Sequence, residues 1–475
     1  MTASTVRLLV PGLGLGLALL ASACTDTVYV ERDPFEPPPD AAQGFLGYSD
    51  VEDGLPTCGN CHIGQNAEWQ QTAHAGAWAT LQESGHSQDF CEGCHTVGAN
   101  GNAVTEENVG WTATADERYL DVQCESCHGP GLEHVTNPDA SQPLASILVG
   151  IDLTNGCGEC HQGTHHGFVD EWALSRHGEG AHAPQYRERE GCRTCHGARG
   201  ALEAWGVKAE YLEKEGTGEI GIVCAVCHDP HDATYEGQLR YSVSIPEVDL
   251  NLCMKCHQRR AVPDPGSSRG PHSPQGPLLL GEDVGWIPPN FEYSNTTIRG
   301  THGSERNQRL CATCHVNGYE VTDAATGDFV ISVKGHSFQP IPCLDAQGVP
   351  DPTAECELTD RTFSSCTSSG CHGDQAAARG AYIVATTRIA DLVAELDALL
   401  AQVPESEFDP EDGVFTTAEG ANFNSGLGAI TSSAIHNPFL TEALLTASIR
   451  QVREDYGLAA VSAALPLGSL LTPPR

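Results

Sequence analysis

One five-residue pattern, Cys-x-x-Cys-His, occurs eight times in this chain, beginning at Cys58, Cys91, Cys124, Cys157, Cys192, Cys224, Cys253 and Cys311. A looser ninth copy, "CTSSGCH", runs from Cys366 to His372. Zinc accepts cysteine pairs, but it needs four tetrahedral ligands and gives no reason for a histidine to follow every pair. Disulfides need no histidine at all. The pattern is that of covalent haem c attachment, in which both thiols bond the porphyrin vinyl groups and the adjoining histidine lies under the iron. The predicted attachment residues are Cys58 and Cys61, Cys91 and Cys94, Cys124 and Cys127, Cys157 and Cys160, Cys192 and Cys195, Cys224 and Cys227, Cys253 and Cys256, Cys311 and Cys314, and, in the variant motif, Cys366 and Cys371. The predicted proximal ligands are His62, His95, His128, His161, His196, His228, His257, His315 and His372. Cys343 and Cys356 are left to pair as a disulfide; the alternative gives one of them to Cys366.

The second axial position follows by elimination. The chain has two methionines, Met1 and Met254, and Met254 sits between the cysteines of the seventh motif. Lysine is scarce and no motif reads Cys-x-x-Cys-Lys. Histidine remains: 21 are present, so twelve are left after the nine proximal ones. Two histidines per iron, without methionine, predict low reduction potentials.

A repeat narrows the distal choice. The first three motifs start 33 residues apart, and the next three repeat the triplet at offsets of 35 and 32. "CGNCHIG…EWQQTAH" aligns with "CGECHQG…EWALSRH", matching His74 to His177, and "VQCESCHGPGLEH" aligns with "IVCAVCHDPH", matching His134 to His231. A duplicated three-haem module follows, with those four as distal ligands in equivalent roles, His134 serving an iron other than its neighbour's. His272, His302, His336 and His436 complete eight. The ninth is open among His182, His166, His165 and His86, the first two preferred, with a vacant site as the alternative.

The stretches "TAHAGAWATL", "FCEGCHTVG" and "VQCESCHGPGLEH" resemble the tetrahaem cytochrome c family that accepts electrons from hydroxylamine oxidoreductase, and the wider multihaem group around it. The likeness covers residues 58–134 and is fainter over 157–231, while "AIHNPF" resembles the closing helices of larger multihaem nitrite and hydroxylamine enzymes. It implies haems stacked in parallel and perpendicular pairs, with His74 and His134 distal. This chain has more motifs than that family, which also includes a haem without a sixth ligand.

Composition sets the architecture. A 33-residue interval is too short to bury a core unaided, and only 6% of the chain is aromatic. Haem must therefore stand in for the core. The expected fold is mainly α with extensive loops and little β-sheet: a multihaem cytochrome c architecture with a haem-organised core. Residues 1–23 read as an export signal, with Arg7, an apolar run and "ASAC", and Cys24 as a lipidated N-terminus, ordinary signal-peptidase cleavage after Ala-Ser-Ala being the alternative. Residues 24–54 read as an extended tether, 55–153 and 154–250 as the two modules, 251–375 as a third haem region and 376–475 as a helical segment. There, Ile389, Leu392, Val393, Leu396, Leu399 and Leu400 keep helical spacing, and Asn437-Pro438 starts a second helix.

With a formal net charge of −38, the surface repels nucleic acid and anionic lipid headgroups. A partner is then neutral or basic, or approaches through a local exception. The expected function is an exported electron carrier, periplasmic or associated with the outer membrane through the Cys24 lipid, working between redox protein donors and acceptors at the cell envelope. The alternative is a multihaem reductase or dehydrogenase of a small nitrogen or sulfur compound, with one open iron; no catalytic residue marks such a site.

Overall fold

In a Cys-x-x-Cys-His segment the three functional residues stand at i, i+3 and i+4, so a single helical turn brings them to one face. The chain folds that way. The His62 N–H donates to the Cys58 carbonyl at 2.9 Å, as His161 does to Cys157 and His228 to Cys224, both at 2.9 Å. The computed structural model describes residues 42–145, 156–178, 184–207, 219–293, 298–368 and 370–459, all within the compact unit Pro38–Arg475. Cys24, the predicted export signal and His182 lie outside the described residues.

Up to His315, no described helix exceeds seven residues. Helices this short are not stable alone in water. Sheet is limited to three antiparallel hairpins among the described residues: β1 (Tyr48–Asp50) with β2 (Leu55–Pro56), β3 (Tyr319–Thr322) with β4 (Phe329–Val333), and β5 (Cys343–Leu344) with β6 (Pro350–Asp351). Cys343 is disulfide-bonded to Cys356. The fold is mainly helical with extensive loops.

The triplet repeat is visible in its hydrogen bonds. Trp69 Nε1 donates to the Val122 carbonyl at 3.0 Å, two residues before the third motif. Trp172, its counterpart, donates to the Ile222 carbonyl at 2.9 Å, two residues before the sixth. Each indole braces the first motif of its triplet to the third.

The predicted tether ends sooner than residue 54. Ala42, Phe45, Leu46 and Tyr48 are buried, and the segment is held by Glu125, the residue after Cys124, which is 3% exposed. Its carboxylate accepts N–H bonds from Leu46 (2.8 Å), Gly47 (2.8 Å) and Gly131 (2.7 Å). Burial outweighs these bonds and pushes the carboxyl up to about 7. Glu125→Ala leaves three buried donors without an acceptor and is expected to cost about 3–9 kcal/mol, at roughly 1–3 kcal/mol per orphaned group. Glu125→Gln, which keeps one oxygen, should lose less. Thermal unfolding of the two variants checks the order, and equal losses would contradict it.

The C-terminal segment has a conventional core. Helix α1 (Gln375–Leu400) is capped by Asp374, which accepts from the Ala377 N–H at 2.7 Å. Helix α2 (Thr417–Ala429) starts with a capping box between Thr416 and Glu419. Helix α3 (Pro438–Tyr456) starts at Asn437, whose side chain accepts from the Leu440 N–H and donates to the carbonyls of Leu278 and Ile298. Ile389, Leu392, Leu396, Leu399 and Leu400 of α1 pack with Ala418 and Ala421 of α2 and with Leu445, Ile449 and Val452 of α3. Arg388 and Glu442 add an ion pair at 3.0 Å between α1 and α3.

Candidate haem-binding sites

Each motif histidine faces a second histidine ring at nearly one distance. Numbering the motifs in chain order, the pairs are His62 with His134 (6.2 Å), His95 with His166 (6.3 Å) and His128 with His231 (6.2 Å) for sites one to three. Sites four to six hold His161 with His74 (6.1 Å), His196 with His272 (6.2 Å) and His228 with His336 (6.4 Å). Sites seven to nine hold His257 with His177 (6.2 Å), His315 with His436 (6.3 Å) and His372 with His302 (6.3 Å). His161 also lies 6.4 Å from His166, nearly perpendicular, but His166 is matched by His95.

This spacing is the test of whether the residues fit haem iron. Direct ring stacking accepts a range of separations. A metal bonded to both rings does not: two metal–imidazole bonds of about 2.0–2.1 Å, with roughly 1.1 Å from each nitrogen to its ring centre, give about 6.3 Å. The interplanar angles range from 19° to 78° across these nine pairs, so ring contact is not what fixes the distance. Zinc shells are not assembled: among the described residues no group of three or more His, Cys, Asp or Glu is arranged to hold a metal ion.

The ring tautomers agree. A backbone carbonyl can only accept, so a ring nitrogen against one must carry the proton. The Nδ1 atoms of His95, His128, His134, His228, His302 and His315 meet the carbonyls of Ala77, Pro143, Ser141, Gly237, Ile435 and Phe338 at 2.6–2.9 Å. That leaves Nε2 as the lone-pair nitrogen for a metal and sets the ring's orientation. His436 differs, its Nδ1 being buried without a hydrogen-bond partner. Burial pushes His161 and His336 down to about 4 and His436 to about 3, so these rings stay neutral, as a ligand must be.

Local structure aims the distal rings. Glu171 accepts the N–H groups of Lys334 and His336, both at 2.6 Å, and so clamps the loop that carries His336. Gly335 has φ +76°, and a Cβ there would lie 2.6 Å from the Val316 backbone, just past the eighth motif. Only glycine lets that loop approach so closely.

Pairing crosses the expected module boundaries, and it repeats every three motifs. His74 and His177, which follow motifs one and four, face the histidines of motifs four and seven. His166 and His272 face those of motifs two and five, and His231 and His336 those of three and six. The expected equivalence of His134 with His231 therefore fails. Site four takes its facing ring from the preceding triplet, whereas site one uses His134 of its own. Of the open candidates, His166 is the one brought to a motif. His165 stacks on Phe329 at 4.7 Å, and His86 is exposed.

The thiols add adjacency. Cys58 and Cys124 lie close enough to influence each other, as do Cys94 and Cys160, Cys157 and Cys224, Cys195 and Cys256, and Cys253 and Cys311. Cys127 with Cys160, Cys227 with Cys253, and Cys314 with Cys366 lie within electrostatic range. The sites thus form a series, one, three, four, six, seven, eight, nine; site two joins at four and site five at seven. Met254, the second methionine, is buried against Leu279, Leu280 and Leu310.

Residues 57–129 match the family described as cytochrome c554 and c-prime, and residues 217–262 match the doubled CXXCH motif. Cytochrome c-554 of Nitrosomonas europaea is 32% identical over 96 residues, 17% of this chain and 38% of that protein. The multiheme cytochrome MtrA of Shewanella baltica is 25% identical over 195 residues, 37% of this chain and 54% of that protein. The chain thus spans about half or less of these curated relatives. The undecaheme cytochrome from the S-layer of Carboxydothermus ferrireducens shares the fold, with a TM-score of 0.50 at 19% identity over 89% of this chain and 70% of that one. Its repeated attachment motifs, iron-sized ring pairs and these matches together make the chain a multihaem c-type cytochrome.

Proposed function

We propose that the chain is an exported electron carrier holding nine haem c groups, each by a cysteine pair and two histidines. The proximal ligands are the nine motif histidines, and the distal ligands are His134, His166, His231, His74, His272, His336, His177, His436 and His302 for sites one to nine. The observation that carries this reading is that every motif ring faces its own second ring at 6.1–6.4 Å. Haem c supplies reversible one-electron chemistry at a covalently fixed position. The protein's part would be to offer each haem two neutral imidazoles, to exclude methionine, and to bring neighbouring attachment turns close together.

The same occupancy bears on the enzymatic alternative: no motif ring lacks an opposite imidazole, and an open iron would need one that did. The partners in this reading are redox proteins of the cell envelope, and Cys24 is the lipid attachment point. Among the described residues no helix is long and apolar enough to cross a membrane. Protein-film voltammetry of the matured chain checks the function. Overlapping reversible waves at negative potentials are expected; a haem-loaded chain that, once reduced, no electrode or redox partner reoxidises would sink it.

A further inference from the structure

The strong acidity of the chain has a local exception at the fifth site. The segments 187–196 and 257–272, which carry its motif and its facing His272, hold six arginines against three carboxylates, in a chain whose net charge is −38. Arg193 is spent internally, paired with Glu203 and Glu219 at 2.7 and 2.9 Å. The others are disposed differently. Arg259 is exposed, and its Nη2 lies 3.8 Å from where a Cβ on Gly191, the residue before Cys192, would stand. Arg260 Nε donates to the Gly270 carbonyl at 3.1 Å, folding the 259–272 loop over the site, and Arg269, beside Gly270, is exposed. Asp264, the acid of this loop, is engaged in capping the Gly266 N–H. Glu188 and Glu190 precede the motif in the chain.

This positive patch sits where the series branches. Site five joins the series at site seven, through Cys195 and Cys256, so electrons arriving there do not have to enter at an end. We propose that the fifth site is a side port at which a negatively charged electron carrier docks on Arg259 and Arg269. The inference rests on the electron-carrier reading and adds the partner's charge and its point of entry. On a protein of this net charge an anionic carrier is repelled almost everywhere, so a patch at one attachment site both selects the carrier and steers it. The competing use of the same arginines is to neutralise the carboxylates of the porphyrin at that site.

The test uses the full-length haem-loaded protein, reduced and then oxidised in stopped flow by hexacyanoferrate(III), a trianion, or by hexaammineruthenium(III), a trication. Wild type is compared with Arg259→Gln/Arg269→Gln and with Arg450→Gln, a surface arginine paired with Glu292. Axial-ligand spectra and midpoint potentials are recorded for each. We expect the double variant to lose about 3- to 10-fold in rate with the anionic oxidant at low salt, with the cationic oxidant unchanged or faster, and added salt to abolish the difference. Arg450→Gln should leave both rates within about 2-fold, as a screened surface charge does. Equal anionic rates in wild type and double variant overturn the proposal. So does an equal loss with both oxidants alongside a shifted midpoint, which assigns the arginines to the porphyrin carboxylates. If neither oxidant reoxidises wild type, it is the carrier reading that fails.

Discussion

Replacing His166 by alanine is expected to convert one iron of the holoprotein from low spin to high spin, while replacing its neighbour His165 leaves every iron low spin. The two residues share a four-residue helix, Gly163–His166, so their local environments differ little in sequence terms. In space they differ completely. His166 faces His95 of the second motif at 6.3 Å, whereas His165 lies flat on Phe329 of β4, with 3° between the rings. Removing an axial imidazole leaves a five-coordinate iron that binds carbon monoxide once reduced. Near-infrared magnetic circular dichroism with a carbon monoxide titration separates the variants. A high-spin signal from His165→Ala, or none from His166→Ala, contradicts the assignment of site two.

The second large effect concerns the chain without its cofactor. Expressed without a haem-attachment system, the protein is expected to keep the helicity of α1, α2 and α3 and to lose cooperative structure elsewhere. The buried cluster joining those three helices contains thirteen residues, whereas those confined to the motif-bearing part contain eight, five and four. Clusters that small, carried on helices of seven residues or fewer, do not offset the conformational entropy of ordering the segments around them. Limited proteolysis should leave a core spanning about residues 375–456, and circular dichroism should show only the helix signal of its 26-, 13- and 19-residue helices. Native-like helicity with one cooperative transition in the haem-free chain would contradict a haem-organised core.

Much of this was legible in the sequence because it is local. The attachment motifs, the long apolar helix at 375–400 and the Asn437 cap each occupy a few consecutive residues whose spacing fixes their geometry. The capping box from Thr416 to Glu419, which starts α2, is an equally local signal that was available and not used. The choice of ring opposite ring is not local. His74 and His161 are 87 residues apart and lie within one triplet's reach only after the chain has woven back, so alignment of the two triplets suggested which histidines matter without saying which iron each serves. The three-motif period could not have separated His166 from His165, which stand 75 and 74 residues after Cys91, whereas His272 stands 80 after Cys192. Glu125 and Glu171 were missed because each carboxylate matters through backbone N–H groups that sequence leaves far away: Leu46 and Gly47 for one, Lys334 and His336 for the other.

The adjacency of the attachment turns carries the remaining structural lesson. It follows the same three-motif step as the ring pairs, with one to three matched by four to six, and two to four matched by five to seven. A duplicated unit that exchanges rings with its neighbours cannot be cut at its sequence boundary without opening irons on both sides. That is why the ring pairs, rather than the motif intervals, define the sites.

Intact mass of the matured holoprotein, taken together with its near-infrared axial-ligand spectrum, tests the central claim most directly. The account predicts a mass increment of nine haems on the processed chain, with a lipid increment if Cys24 is acylated, and a purely bis-histidine low-spin spectrum. Fewer haems, a methionine-ligated or high-spin iron in the wild type, or bound zinc in place of iron would contradict it.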